Sequence, residues 1–256
     1  MIAAPGGRTL PVNSRGQSLC EARSCYGLLM QTPIVVARQS LLSIGRRLPT
    51  HMLADLRCAL GYVELGNWLA TQPSVPRPPV LGTRKELYAL ALTHICGSQP
   101  LYLEFGVYEG ESLRWWSQHL AGDSARLVGF DSFEGLPEDW RPGHSQGHFA
   151  TNGPPSIDDP RVSFVVGWFD KTLPDYELPE HDQLIVNIDC DLYSSTRTVL
   201  AWLEPHLGPG TIVYFDELPD HDHELRAFFE SQAASDHSVT PLAVANGGQH
   251  WLLRYK

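Results

Sequence analysis

The chain has 256 residues, 43% of them hydrophobic and seven of them Trp, which excludes a disordered polypeptide and suits one α/β domain with an added segment, or two small domains. Its net charge of −10 is unevenly spread: residues 1–100 carry ten basic and four acidic side chains and residues 101–256 nine and twenty-five, so the two parts bear +6 and −16. An acidic main domain repels phosphate backbones, which argues against a nucleic-acid substrate and is compatible with metal or organic cations.

Residues 1–19, with their Gly, Pro and Ser, read as a loose terminus. The first fifty residues are rich in Arg and Ser with Glu21 as their one acid, a composition that imitates an organellar transit peptide or belongs to a mobile tail leading into a basic helix. Helical spacing of apolar residues predicts two amphipathic helices, 33–48 and 51–71; the proline-rich "QPSVPRPPVLG" (72–82) is a linker, and "RKELYALALTHIC" (84–96) is a third helix. Cysteines 20, 25, 58, 96 and 190 show no CxxC spacing, and no apolar run approaches the roughly 20 residues of a membrane span. Both features predict a reduced, cytoplasmic protein.

From residue 100 the pattern alternates. Strands are predicted at 100–107, 126–132, 162–169, 184–191, 211–217, 239–244 and 250–255, with helices near 111–121, 195–206 and 222–234 and a long polar loop after the second strand. Alternating βα units imply an α/β fold with a doubly wound, mainly parallel seven-stranded sheet. Functional residues then belong at the C-terminal ends of the strands, beside the switch in strand order.

Those strand ends carry chemistry. "LYLEFGVYEGES" ends in Glu104 and Gly106, with Gly110 before the next helix; glycine permits a tight turn and close ligand approach, and the helix start offers free N–H groups. The E-x-G-x-x-x-G spacing is not that of dinucleotide folds and by itself also fits a structural turn. The next strand ends in Asp131, where an acid can accept both hydroxyls of a ribose. A nucleoside-containing cofactor without a pyrophosphate cradle points to S-adenosylmethionine rather than NAD.

In "LIVNIDCDLYSST" an apolar run ends in Asp189 and Asp191, and "TIVYFDEL" ends in Asp216 and Glu217. A right-handed βαβ connection between parallel neighbours brings these acids together. Their oxygens suit Mg²⁺, with Mn²⁺ or Ca²⁺ as variants, rather than zinc. Asp189, Asp216 and Glu217 are assigned as ligands; Asp191 completes the shell, accepts the substrate's proton, or caps the following helix.

With those residues in place the sequence resembles the macrocin O-methyltransferase (TylF-like) group of class I S-adenosylmethionine-dependent methyltransferases. The resemblance rests on "LEFGVYEGES" (103–112), "GFDSFEGLPEDW" (129–140), "VVGWFDKTLP" (165–174), "IDCDLYSST" (188–196) and "GPGTIVYFDEL" (208–218). It implies that Glu104, Gly106, Gly110 and Ser112 line the methionine end, that Asp131 and Ser132 hold the ribose, that Trp168 lies near the adenine, and that Asp189, Asp216 and Glu217 hold Mg²⁺. Glu217 departs from the Asp or Asn often found there. The implied reaction is methylation of a hydroxyl on a small molecule, a sugar of a natural product or glycan, by a domain spanning 83–256; residues 1–82 are a helical extension serving as a lid or a homo-oligomer contact.

Other features remain open. "GHSQGHF" places His144 and His148 four apart, a metal spacing if helical, but the flanking glycines favour a mobile lid with His144 as a base. "PDHDHE" (219–224) resembles a metal box or a solvated turn opening a helix, and the Trp115–Trp116 pair reads as core or interface. Asp189-Cys190-Asp191 is also the D-x-D of a metal-dependent glycosyltransferase, although that reading leaves the glycine turn and Asp131 unexplained. A non-catalytic cofactor-binding module is the third alternative.

Overall fold

The computed structural model describes residues 33–71 and 77–256. The expectations for the N-terminal tail and for the middle of the proline-rich linker lie outside these residues. The chain divides into two compact units at Thr50–His51. In the first, α1 spans Pro33–Gly45, and Ser40 and Ser43 hydrogen-bond back to the carbonyls of Val36 and Gln39.

The second unit begins at His51, within α2 (Thr50–Ala70). One of its faces packs on the domain: Leu65 is buried in the core, and Gly61 lies so close to the Pro219 carbonyl that a Cβ there would stand 1.9 Å from the oxygen. Leu56, Leu60 and Val63 on this helix are exposed, so it is apolar on more than one face. α3 (Arg84–Leu92) starts at a capping box: Thr83 accepts from the Glu86 amide, and Glu86 Oε2 accepts from the Gly82 amide at 3.0 Å.

The strands are β1 (Val80–Leu81), β2 (Pro100–Phe105), β3 (Arg126–Asp131), β4 (Val162–Val166), β5 (Gln183–Ile188), β6 (Ile212–Phe215), β7 (Val239–Ala245) and β8 (His250–Tyr255). They form one sheet in the order β1-β7-β8-β6-β5-β2-β3-β4, parallel except where β8 pairs with β6 and β7. The sheet has eight strands instead of the expected seven. The addition comes from the end of the linker, where Pro78 and Pro79 hold the backbone extended: the Val244 amide donates to the Pro79 carbonyl, and Val80 and Leu81 pair with Val244 and Ala245. β4 is shorter than expected because Gly167 (φ +143°) turns the chain out of the sheet into α5 (Phe169–Thr172).

Alternation along the strands sorts the core onto two faces. Leu101, Leu103 and Phe105 of β2 join one cluster with residues of α6 (Tyr193–Leu203) and α7 (Glu224–Ala234); Tyr102 faces the other way, among α3 and α4 (Glu111–His119). Every residue of β2 is buried, as befits a central parallel strand covered on both sides. The strand order reverses beside β2, since β3 follows it on one side and β5 lies on the other. A crevice therefore opens at the carboxyl ends of these strands.

Candidate active site

Register decides what stands at that crevice. Phe105 pairs with Phe130 on one side and Ile188 on the other, and Ile188 pairs with Phe215. One residue further on, Gly106, Asp131, Asp189 and Asp216 occupy four adjacent strand tips. The amides of Gly106, Asp189 and Asp216 donate to the carbonyls of Phe130, Phe105 and Ile188 at 2.9–3.0 Å, which extends the ladder to this row. Gly106 has φ +92°, and a Cβ there would sit 1.8 Å from the Asp189 carbonyl oxygen. Its glycine is thus required by the neighbouring strand tip.

The four tips border one cavity of about 810 Å³. Ser132, Trp168, Asp191 and Glu217 also line it, together with Tyr108, Trp140, Arg141 and Phe149, which the sequence reading did not assign. Glu104, Gly110, Ser112 and His144 are not in this wall.

Glu104 lies behind the glycine turn, fully buried, where it accepts hydrogen bonds from the Ser112 hydroxyl and from Tyr102 Oη at 2.8 Å. Burial pushes its carboxyl up to about 7 against the opposing pull of those two donors. Gly110 is the left-handed N-cap of α4, with Pro155 where a side chain would go. Asp131 accepts from the Val107 and Tyr108 amides at 2.8 and 2.9 Å and from the Phe133 amide at 2.7 Å, which fixes the turn and leaves its carboxylate at the cavity edge.

The acids differ in what supports them. Asp216 is built in: Tyr214 Oη donates to it at 2.6 Å, His250 Nδ1 lies 3.1 Å away, and Arg84 4.0 Å. Burial opposes ionisation there, but His250, Tyr214 and Arg84 outweigh it and hold Asp216 below the usual carboxylate range. Glu217 receives both Arg141 amino groups, at 3.2 and 3.4 Å, and the Gln249 amide at 3.0 Å. Burial leads in raising Asp189 and Asp191, followed by the neighbouring acids, and Asp191 is pushed up to about 8.

Asp191 does not cap the following helix: α6 has Leu192 at its N-cap with no side-chain cap bond, and Asp191 itself is left-handed (φ +58°). That conformation turns its carboxyl into the cavity wall. Among the described residues no three His, Cys, Asp or Glu side chains are already gathered as a coordination shell. The reason is visible at two of the expected ligands, since Asp216 and Glu217 are drawn toward protein partners. The donor set nonetheless fits a hard cation: its oxygens are all carboxylate, and burial followed by the neighbouring acids holds Asp189 and Asp191 high in pKa.

The polar loop after β3 is a small hairpin over the cavity. The Trp140 amide donates to the His144 carbonyl, Leu136 and His148 close its base, Trp140 Nε1 donates to Asp220 at 3.1 Å, and the Arg141 guanidinium lies 3.5 Å over the Trp140 ring. His144 packs among Trp140, His148 and Phe149 rather than facing the acids. "PDHDHE" is a turn leading into α7, not a metal box: Asp220 holds Trp140, His221 meets Asp222 and Glu64, His223 Nδ1 accepts from the Tyr193 amide, and Glu224 accepts from the Glu217 amide. Trp115 and Trp116 pack beside Tyr88 within the fold.

Known proteins place this architecture. Residues 103–218 match a family model described as a methyltransferase domain, and the doubly wound sheet has the class I, Rossmann-like methyltransferase fold. A Streptomyces olivaceus protein named 8-demethyl-8-(2,3-dimethoxy-alpha-L-rhamnosyl)-tetracenomycin-C 4'-O-methyltransferase is 33% identical over 139 residues, covering 45% of this chain and 51% of the relative. The chain thus spans about half the length of that curated relative. The crystal structure of CalS11, a calicheamicin methyltransferase, shares the fold with a TM-score of 0.53 at 23% identity, over 95% of this chain and 99% of that one. No described helix is long and apolar enough to cross a membrane.

Proposed function

We propose that the protein is an S-adenosylmethionine-dependent O-methyltransferase of the macrocin type, assisted by Mg²⁺ and acting on a sugar hydroxyl of a natural product. The observation that carries this reading is the row of strand tips around one cavity: a glycine turn and Asp131 on the cofactor side, then the acids at 189, 191, 216 and 217 on the acceptor side. The sugar is proposed from the rhamnosyl-tetracenomycin relative, whose name specifies such a methylation.

The proposed cofactor position runs from Gly106 and Tyr108 past Asp131 and Ser132 to Trp168. Asp131 is held by three backbone amides and would face a ribose with its remaining acceptor capacity. Glu104 and Ser112 act from behind, stiffening the glycine turn.

Asp189, Asp216 and Glu217 would hold the cation, which when bound supplies polarisation of the acceptor hydroxyl. In the reaction the acceptor oxygen bonds to the sulfonium methyl carbon, the carbon–sulfur bond breaks with its electrons going to sulfur, and the hydroxyl proton passes to Asp191. Without a cation Asp191, at about 8, is protonated at neutral pH. Burial and the neighbouring acids raise the Asp191 carboxyl into the range suited to a general base. Since the donor is already activated, the enzyme's main contribution is alignment of oxygen, methyl and sulfur.

Calorimetric titration with S-adenosylhomocysteine and, in parallel, a UDP-sugar, each with and without Mg²⁺, tests this. Micromolar binding of the former, lost in Asp131→Ala, is expected. No binding of it, with Mg²⁺-dependent binding of the UDP-sugar, would overturn the reading in favour of a D-x-D glycosyltransferase. Cofactor binding with no Mg²⁺ binding would favour the non-catalytic module.

A further inference from the structure

The acid centre contains four carboxylates but not four equal partners. Asp216 is held by Tyr214 and His250, packed residues of the sheet, with Arg84 of α3 at 4.0 Å and itself tied to Glu111. Asp189 and Asp191 form no ion pair with the protein among the described residues. Glu217 alone of the four is paired with a side chain free to leave: Arg141 is 44% exposed on its side chain while Glu217 is 15% exposed. The Arg141 backbone is fixed by the hairpin, since the His144 amide donates to its carbonyl and the neighbouring Trp140 is anchored on Asp220. Rotation of the Arg141 side chain therefore suffices to release Glu217; the guanidinium already stacks 3.5 Å over the Trp140 ring while it holds Glu217, a contact that does not depend on the carboxylate.

The electrostatics give the contact a role. The Arg141 guanidinium reaches both Glu217 carboxylate oxygens, at 3.2 and 3.4 Å, beside a wall that also carries Asp189, Asp191 and Asp216. A positive charge is needed at this spot and the chain provides one of its own. We propose that Arg141 is the exchangeable counter-ion of the acid centre, bound to Glu217 in the cation-free protein and displaced from it when a divalent cation enters. The inference rests on the cation reading given above. It assigns Arg141, outside the ligand set, the setting of cation affinity: the guanidinium must give up a two-point contact and tolerate a like charge nearby.

Mn²⁺ binding to the full chain, measured through the electron paramagnetic resonance signal of the free ion, tests the assignment without turnover. Arg141→Ala is expected to tighten Mn²⁺ binding by about 3- to 10-fold, the range set by loss of one partly exposed ion pair and one repulsion. Arg141→Lys, which keeps the charge but not the fork, is expected to fall between Arg141→Ala and the parent. Unchanged or weaker binding in Arg141→Ala overturns the proposal, the latter showing that Arg141 organises the site instead of competing for it. Asp189→Asn serves as the reference for the reading beneath: it should weaken Mn²⁺ in every background. If neither the parent nor Arg141→Ala binds Mn²⁺, the cation reading fails and this inference with it; if the parent binds, Asp189→Asn does not, and Arg141→Ala equals the parent, only the role of Arg141 fails.

Discussion

The strand tips and the hairpin over them form opposite walls of the same cavity, yet they are held by different physics. Gly106, Asp131, Asp189 and Asp216 are fixed by sheet register, each one residue beyond a paired apolar position. Trp140 and Arg141 sit on a hairpin closed by its own backbone bonds and meet the strand side of the cavity through side-chain contacts to Asp220 and Glu217, far along the chain. A wall made from backbone ladders resists displacement; a wall hung on side chains can be rearranged at small cost. The tips are therefore suited to placing a cofactor and the hairpin to accommodating what enters and leaves.

The strongest test of that contrast is Gly106→Ala. The new Cβ would meet the Asp189 carbonyl oxygen at 1.8 Å in a backbone held at φ +92°, and neither neighbour is a flexible side-chain end. A loss of about 3 kcal/mol or more is expected from overpacking plus backbone strain, read as a lower urea midpoint, with cofactor binding lost. A variant within about 1 kcal/mol of the parent would mean that the tips are as deformable as the hairpin.

Glu104→Gln probes the support behind the tips. The carboxyl of Glu104 sits at about 7 in the folded protein against an ordinary value of 4.5, so between these values the folded state binds more protons than the unfolded one. Its contribution to stability is intact below about pH 4.5 and declines as pH rises toward 7, by an amount on the order of 3 kcal/mol. Glu104→Gln should remove that decline, leaving the cofactor-free protein more stable than the parent at pH 8 and little changed at pH 4. Parallel pH dependences in parent and variant would show that Glu104 ionises freely.

Much of the tip row is legible in the amino-acid sequence, because apolar runs that end in Gly106, Asp131, Asp189 and Asp216 announce both the strands and their ends. What is not legible there is depth. Glu104 and Ser112 look like cofactor contacts in linear order, but alternation along β2 turns Glu104 into the layer behind. The helix-capping alternative for Asp191 failed for a local reason: a left-handed residue followed by Leu192 leaves the start of α6 without a side-chain cap, although the segment is rich in capping residue types. The linker's prolines read as a break, yet the same extended backbone supplies the eighth strand. The hairpin is the least legible part, since the contacts of Trp140 and Arg141 cross 76 to 80 positions without any periodicity to signal them.

Trp140→Phe addresses the hairpin directly. It keeps most of the ring under Arg141 but removes the hydrogen bond to Asp220, so global stability should fall by about 1 kcal/mol. Amide exchange over 136–148 should accelerate more than exchange in β2 and β5. Equal acceleration in the strands would tie the hairpin into the same cooperative unit as the tips.

The smallest effect belongs to Ser194→Ala, at the hairpin's contact with α6. Ser194 Oγ donates to Glu138 Oε1 at 2.5 Å in an exposed setting. Water can replace that donor, so the expected cost is below about 0.5 kcal/mol despite the charged acceptor. The interest lies in where the loss appears: Ser194 follows the acids on the same loop-to-helix segment and lines the cavity. Loss of this tether loosens the hairpin without disturbing the strand register, so exchange should rise over 136–148 while the urea midpoint stays put. A loss above about 2 kcal/mol would instead make this exposed contact part of the rigid wall, and the division of labour between tips and hairpin would have to be redrawn along α6.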